Sequence, residues 1–332
     1  MGLERLKALI FLLMLPACWS HDAGAQTVRR VGVLFLTPSV AEILDTSRAV
    51  GQFRERLRQE GWIEGSNIEF VWRSAEGDPA NEATIFEEFV RTRVDVMVMP
   101  GTQIEHALRW SKTIPIVTTG LTRPLDRSFV SSIARPGASV TGLMHDHLDD
   151  GFEGKRMAVL KRIAPRIKHV AFLVEGPTRA LEAQRNRLAK SLGLATTHLY
   201  FEPPVSTAYI EVRFREALLK GADAVYVDAA FAGIRENLLM IHKLAVRHRI
   251  PVMHTSRSGV ESGGLVSYSS DPDARGQRLA SFVSRILKGA RPGDLPMEQP
   301  DKFELTINLD AAKAIGLTIP PDLMIEGRLR LR

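Results

Sequence analysis

The chain has 332 residues, of which 45% are hydrophobic and 25% charged, with a single cysteine and a formal net charge of +6 from 44 basic and 38 acidic side chains. That profile is a folded protein of one large or two ordinary domains, and it excludes collagen-like, low-complexity and broadly disordered chains. One cysteine rules out a disulfide framework and any cysteine-cluster metal or iron–sulfur site. The positive charge is spread along the chain instead of gathered in runs, so it argues little for nucleic acid.

Residues 1–25 are expected to be an export signal. Arg5 and Lys7 give a basic start, Ala8–Leu15 is an unbroken apolar run, Pro16 ends it and small residues follow. This is the layout of a secretory signal peptide, and the run is too short for a membrane span of about 20 residues. Two cleavage sites stand open. Ala23-Gly24-Ala25 before Gln26 suits ordinary signal peptidase, whereas Leu15-Pro16-Ala17-Cys18 resembles a lipobox that would anchor the chain by lipid through Cys18. Either outcome places the mature chain outside the cytoplasm.

Past residue 27, apolar strands alternate with amphipathic helices. Val31–Leu36 reads as a strand apolar on both faces, Glu42–Glu60 as a helix stopped by Gly61, and Ile68–Trp72 as a second strand. Helix Glu82–Arg93, strand Val94–Met99, helix Gln103–Lys112 and strand Ile114–Thr118 follow. Such alternation specifies βαβ units and a parallel sheet. The order then recurs. Lys168–Leu173 echoes Arg29–Leu34, Gly221–Val227 echoes Arg93–Val98, and Arg249–Met253 echoes Thr113–Val117. Between them, helices Arg179–Leu192 and Thr207–Lys220 each end at a glycine.

The Pro/Gly-flanked piece Ala134–Gly142 is expected to join the halves. A strand Gly263–Ser269, a helix Ala274–Lys288, a strand Phe303–Leu309 and a short helix Ala311–Ile315 complete the chain. The fold class that follows is α/β, two similar doubly wound parallel-sheet lobes with three interlobe crossovers. The expected division is 27–143 plus 262–290 for the N-terminal lobe and 144–261 plus 291–325 for the C-terminal lobe. In such a chain the strand C-termini of both lobes face a shared cleft, where helix dipoles and free backbone N–H groups favour anionic groups, and hinged lobes shut over a ligand.

At this point the residues carry a resemblance. Arg30–Leu36, Phe53–Val71, Val94–Thr102, Ile114–Val117, Phe129–Leu143, Gly263–Asp271, Ile286–Leu295 and Lys302–Pro320 together resemble the solute-binding proteins of ABC transporters, of the type I periplasmic-binding fold, in the broad bacterial family that includes tryptophan-binding members. The resemblance runs from about Arg29 to Pro320. It implies a periplasmic protein that holds a small polar molecule, an amino acid or small carboxylate, and delivers it to an ABC permease with a separate ATPase subunit. Two departures fall where the cleft is expected. The family's Asp-Pro-Val after the fourth strand is Arg123-Pro124-Leu125 here, and its Leu/Pro-Asp-Pro after the seventh is Asp228-Ala229-Ala230.

The candidate ligand-binding residues lie beyond the strand ends. Gly101-Thr102-Gln103 reads as a cradle for a carboxylate, or as a plain helix cap. Thr37, Thr119 and Thr122 line the same edge, and Arg123 suits an acidic group bidentately or sits as a solvated surface arginine. From the second lobe Glu175, Asp228 and Ser256 occupy matching positions, where an acid would hold an ammonium group. Phe35 and Phe231 are candidates for an apolar wall or for core. Asp271 is expected to cap the helix that follows it.

His145-Asp146-His147 with Asp149 and Asp150 is expected to be a solvated linker and not a metal site. No cofactor is expected. Phosphate-loop, dinucleotide-fold, zincin, nucleophile-elbow and Cys-x-x-Cys motifs are all missing, so no enzyme is expected and any ATP hydrolysis belongs to another chain. No helix-turn-helix is expected ahead of the first lobe, which together with the export signal argues against a repressor. The alternative reading is a periplasmic ligand sensor that feeds a membrane sensor kinase.

Overall fold

The computed structural model describes residues 27–37, 39–121, 128–145, 150–175, 179–201, 205–228, 235–327 and 329–331. Residues 1–25, expected to be an export signal and including Cys18, lie outside this set. The first half runs β1 (Arg29–Phe35), α1 (Val40–Thr46), α2 (Arg48–Gln59), β2 (Ile68–Ser74), α3 (Ala80–Arg91), β3 (Val96–Met99), a 3₁₀ turn (Gly101–Gln103), α4 (Ile104–Trp110), β4 (Ile116–Leu121) and β5 (Val140–Met144). Its strands form one sheet in the order β2-β1-β3-β4-β5, every pair parallel.

The second half runs α5 (Asp150–Ile163), β6 (His169–Glu175), α6 (Arg179–Ser191), β7 (Ala195–Phe201), α7 (Thr207–Leu219), β8 (Ala224–Val227), α8 (Arg235–His248), β9 (Val252–His254), α9 (Arg257–Glu261) and β10 (Val266–Ser270). These strands pair in the order β7-β6-β8-β9-β10, the arrangement of the first sheet repeated. The sheet then continues into β11 (Phe303–Asn308), antiparallel to β10, and β12 (Leu329–Leu331), parallel to β11. Between β10 and β11 lie α10 (Pro272–Leu287) and a 3₁₀ turn (Pro292–Asp294), and α11 (Leu309–Ala314) and α12 (Pro321–Glu326) precede β12.

The apolar runs explain the layers. Val96–Met99 and Ala224–Val227 are buried along their whole length, as central parallel strands covered on both faces must be. Each sheet therefore has two cores. In the first lobe one face packs Phe86, Phe89 and Ile104. The other packs Phe53 and Leu57 of α2 against Leu279, Phe282 and Val283 of α10. The helix that completes the first lobe thus arrives from late in the chain. Its crossing with α2 is close, for a Cβ on Gly276 would stand 2.1 Å from the Ala49 carbonyl oxygen. Asp271 caps α10, its Oδ1 accepting from the Asp273 and Ala274 N–H groups at 2.9 and 3.3 Å, as expected of it.

Three readings need correction. The helix expected over Glu42–Glu60 is two, broken at Ser47, whose hydroxyl accepts from Val50 N–H and starts α2. The piece expected to leave the first lobe contains β5, the fifth strand of the first sheet. The strand near 263–269, assigned to the N-terminal lobe as part of 262–290, is β10 of the second sheet, where it takes the place beside β9 that β5 takes beside β4. Conversely, residues at the start of 291–325 stay with the first lobe. Gly137 N–H donates to Gly293 O, Met297 N–H to Ile133 O and Glu298 N–H to Gly142 O.

The chain passes between sheets three times, after β5, after β10 and between Glu298 and β11. Only Asp271 separates the last residue of β10 from the first of α10. Since consecutive Cα atoms are about 3.8 Å apart, the strand C-terminal edges of the two sheets are held side by side.

Candidate functional site

Beyond β1, β3 and β4 the described residues of the first lobe present hydroxyl and amide groups. Thr37 is half-buried beyond β1, close to Gly77. Thr119 is half-buried within β4, beside Thr118, whose buried hydroxyl accepts from Gly120 N–H at 3.2 Å. The β3–α4 turn sits tightly on this strand, because a Cβ on Gly101 would meet Gly120 O at 2.5 Å. Thr102 is exposed in the middle of that turn and caps nothing, since Pro100 holds the cap position. The turn also consumes backbone donors, with Gln103 N–H bonded to Pro100 O and Ile104 N–H to Gly101 O. A cradle of free N–H groups is correspondingly reduced. What the turn offers instead is the Thr102 hydroxyl and the Gln103 amide, whose buried Oε1 has no hydrogen-bond partner among the described residues. A buried acceptor left this way is costly unless a donor reaches it.

Thr122 and Arg123 lie outside the described residues, as do Phe231 and Asp146–Asp149. Phe35 belongs to the core side, its ring stacked 6.0 Å from Trp72 within an aromatic group that includes Phe53 and Phe70. His145 is exposed, with its ring against Gly120. Among the described residues no group of three or more His, Cys, Asp or Glu is placed to hold a metal.

The second lobe presents a charged edge. Glu175 ends β6, in the position that Phe35 takes at the end of β1. Asp228 follows β8, its N–H donating to Leu173 O and its carboxylate accepting from Arg185 Nη2 at 2.9 Å. Ser256 precedes α9 without capping it, its hydroxyl 3.0 Å from that of Ser258.

The pattern reading missed what stands behind Asp228. Arg185 also reaches Glu153 Oε1 at 3.2 Å, and Arg156 lies 3.8 Å from the same oxygen. These three side chains are 1%, 0% and 0% exposed, against 17% for the Asp228 side chain. Burial opposes the charge on Arg185, but Glu153 and Asp228 hold its guanidinium above the ordinary value. Burial, reinforced by Glu153, pushes the neighbouring Tyr226 phenol well above its own. A signal was present in the sequence. Glu153 and Arg156 share the stripe of α5 that carries Met157 and Leu160, which puts charge on a core-facing surface.

A second buried polar pair lies behind Ser256. His242 Nε2 and His254 Nε2 are 3.1 Å apart, and His242 Nδ1 lies 3.2 Å from Ser262 O. Burial lowers the His242 ring to about 4 and the His254 ring well below its ordinary value.

A cavity of about 460 Å³ lined by Arg29, Asp95, Pro115 and Lys288 opens at the opposite end of the first sheet, where its strands begin. Its cations already have partners, Arg29 on Asp95 and Lys288 facing Glu60. It is not part of the interlobe edge.

Known proteins place this geometry. A tyrosine-binding protein of Clostridioides difficile (strain R20291) is 24% identical over 266 residues, covering 80% of this chain and 75% of the relative. Two crystal structures share the fold over 92% of this chain and all of theirs. One is a conserved domain protein from Vibrio cholerae, with TM-score 0.80 and 24% identity. The other is a domain from Streptococcus pneumonia in complex with L-Trp, with TM-score 0.77 and 21% identity. Among the described residues no helix is long and apolar enough to cross a membrane. The model of the ABC transporter substrate binding proteins matches residues 42–328, and the chain belongs to that family, one of solute-binding proteins and not of enzymes.

Proposed function

We propose that the chain is the extracytoplasmic solute-binding component of an ABC transporter. It holds one small polar molecule between the strand C-terminal edges of its two lobes and presents it to a permease served by a separate ATPase subunit. The observation that carries this reading is the repeated sheet order across three short crossovers, and it supports a cleft with Thr102 and Gln103 on one edge and Asp228 on the other. The ligand class that fits is an amino acid. Thr102 and the Gln103 amide suit its polar groups, and Asp228 suits its ammonium. The relatives named for tyrosine and solved with L-Trp support an aromatic side chain on it. The export signal supports a periplasmic location, by ordinary cleavage or with a lipid on Cys18. Capture rests on greater affinity for the closed arrangement of the lobes, with no bond made or broken.

A thermal-shift screen of amino acids, aromatic amino acids and small carboxylates tests the reading. A ligand that binds only the folded chain raises its midpoint in proportion to the logarithm of its concentration. At least one amino acid is expected to do so, and Asp228→Asn and Thr102→Ala are expected to weaken it. Indifference to every compound overturns the reading.

A further inference from the structure

The Asp228 carboxylate is the outer end of a row of alternating charge. Arg185 Nη2 lies 2.9 Å from Asp228 Oδ2 and 3.2 Å from Glu153 Oε1, and Arg156 Nη1 lies 3.8 Å from that same Glu153 oxygen. The row therefore reads negative, positive, negative, positive from the cleft inward. Its inner three members are buried. The Arg185 guanidinium is fixed in the other two directions by the rings of Phe172 and Tyr226, each 5.1 Å away.

Stability alone does not account for such a row. Moving the three inner charges out of water costs several kcal/mol each, and apolar side chains of equal volume commonly serve a core as well or better. Neither does the row end blindly. Arg156 Nε donates to Tyr268 O at 2.7 Å. Glu153 and Arg156 stand in the first two turns of α5, just past the first crossover, and Tyr268 stands just before the second. Phe152 stacks at 4.0 Å on Phe303, the first residue after the third. The inner end is thus anchored where all three crossovers meet the second lobe.

We propose that Arg185, backed by Glu153 and Arg156, is the positioning residue for Asp228. The row fixes the carboxylate's orientation and its negative potential, and so makes the cleft select a ligand with an ammonium over the same molecule without one. The inference rests on the amino-acid reading above and adds to it the residues that enforce the choice. Glu153 supplies the far negative charge. Without it the Arg185 charge is balanced by Asp228 alone, and less potential is left for the ligand.

The test compares L-tyrosine with its des-amino analogue, 3-(4-hydroxyphenyl)propionate, by calorimetric titration of the full mature chain. The variants are Glu153→Gln, which changes no volume, and Arg185→Lys, which keeps the charge but not the fork. Wild-type protein is expected to prefer L-tyrosine. Each variant is expected to cut that preference about tenfold, the scale of coupling between charges in contact, chiefly by loss of L-tyrosine affinity. Combining either with Asp228→Asn is expected to add nothing to the loss from Asp228→Asn alone. A merely structural role would weaken both probes equally, and that result, or an unchanged preference, overturns the proposal. If wild-type protein binds neither probe, the amino-acid reading fails for tyrosine, and the row is judged on the ligand-free chain. Faster hydrogen exchange at the Asp228 amide, which donates to Leu173 O, in both variants supports it, and unchanged exchange overturns it.

Discussion

The two lobes share one strand order and differ in what they bury. Among the described residues the first buries a single carboxylate, Glu82, 3.0 Å from His106 Nδ1, while a pair such as Arg73 and Glu88 lies nearer the surface, bonded Nε to Oε2 at 2.6 Å with the Arg73 side chain 42% exposed. The second buries Glu153, Arg156, Arg185, His242 and His254 behind its cleft edge. A common backbone plan thus supports two edges that differ, among the described residues, in the buried charge standing behind them. The difference teaches that the fold sets where a ligand lies, while the buried polar groups set which chemistry it meets.

The largest expected effect sharpens that contrast directly. Arg185→Met leaves Glu153 and Asp228 without their shared cation, and breaking a buried pair costs about 3–5 kcal/mol. Arg73→Met in the first lobe removes a surface pair worth under about 1 kcal/mol. Urea unfolding of both variants measures the gap, and equal losses would dissolve the distinction between the lobes.

Next is acid sensitivity, which belongs to the second lobe. Both buried histidines bind a proton less readily folded than unfolded. The unfolded chain takes up protons as pH falls through about 6.5, and His242 in the fold does so only near 4. Their contribution is therefore complete above about pH 7 and drains away between about 6.5 and 4. At pH 5 the loss from His242 alone is about 2 kcal/mol, and His254 adds to it in the same direction. Thermal unfolding from pH 7.5 to 5 checks it, and the double variant His242→Gln with His254→Gln is expected to flatten the curve. A wild-type curve flat over this range would contradict the burial of the rings.

A smaller effect probes the helix lent to the first lobe. Gly276→Leu drives a side chain into Ala49 and is expected to cost about 1–3 kcal/mol. Tryptophan fluorescence is a direct reporter, since Trp62 Nε1 donates to Ser284 of α10 at 3.0 Å. The smallest is Asp271→Ala, about 1 kcal/mol for a lost cap, read as an earlier midpoint in urea. If Gly276→Leu proves neutral, α10 is not packed on α2 as described.

Much of the fold was legible in the residues. Strands apolar on both faces, such as Val31–Leu34 and Ala224–Val227, and helices ending at Gly61, Gly193 and Gly221 are local signals, and their recurrence revealed the doubling. The sheet that receives β10 was not legible, because a buried strand carries the same apolar face wherever it pairs and only its neighbours decide. Of the candidate site, Thr102, Gln103, Asp228 and Ser256 were placed beyond strand ends from the sequence, and the structure puts them there. Arg185 was not legible, because charge on a helix is ordinarily solvated and its contacts with Asp228 and Glu153 form only in the fold; Glu153 was signalled only by its place on the core-facing stripe of α5. Thr102 illustrates the opposite difficulty. Its residue type suits a helix cap, yet Pro100 takes that position for the 3₁₀ turn and Gln103 for α4.

Small-angle X-ray scattering, with and without a saturating amino acid taken from the thermal screen, tests the central claim most directly. Closure of two lobes over one molecule requires the radius of gyration to fall on binding, and to fall less when Asp228→Asn weakens occupancy at the same ligand concentration. A scattering curve that the bound amino acid leaves unchanged would contradict a cleft that shuts.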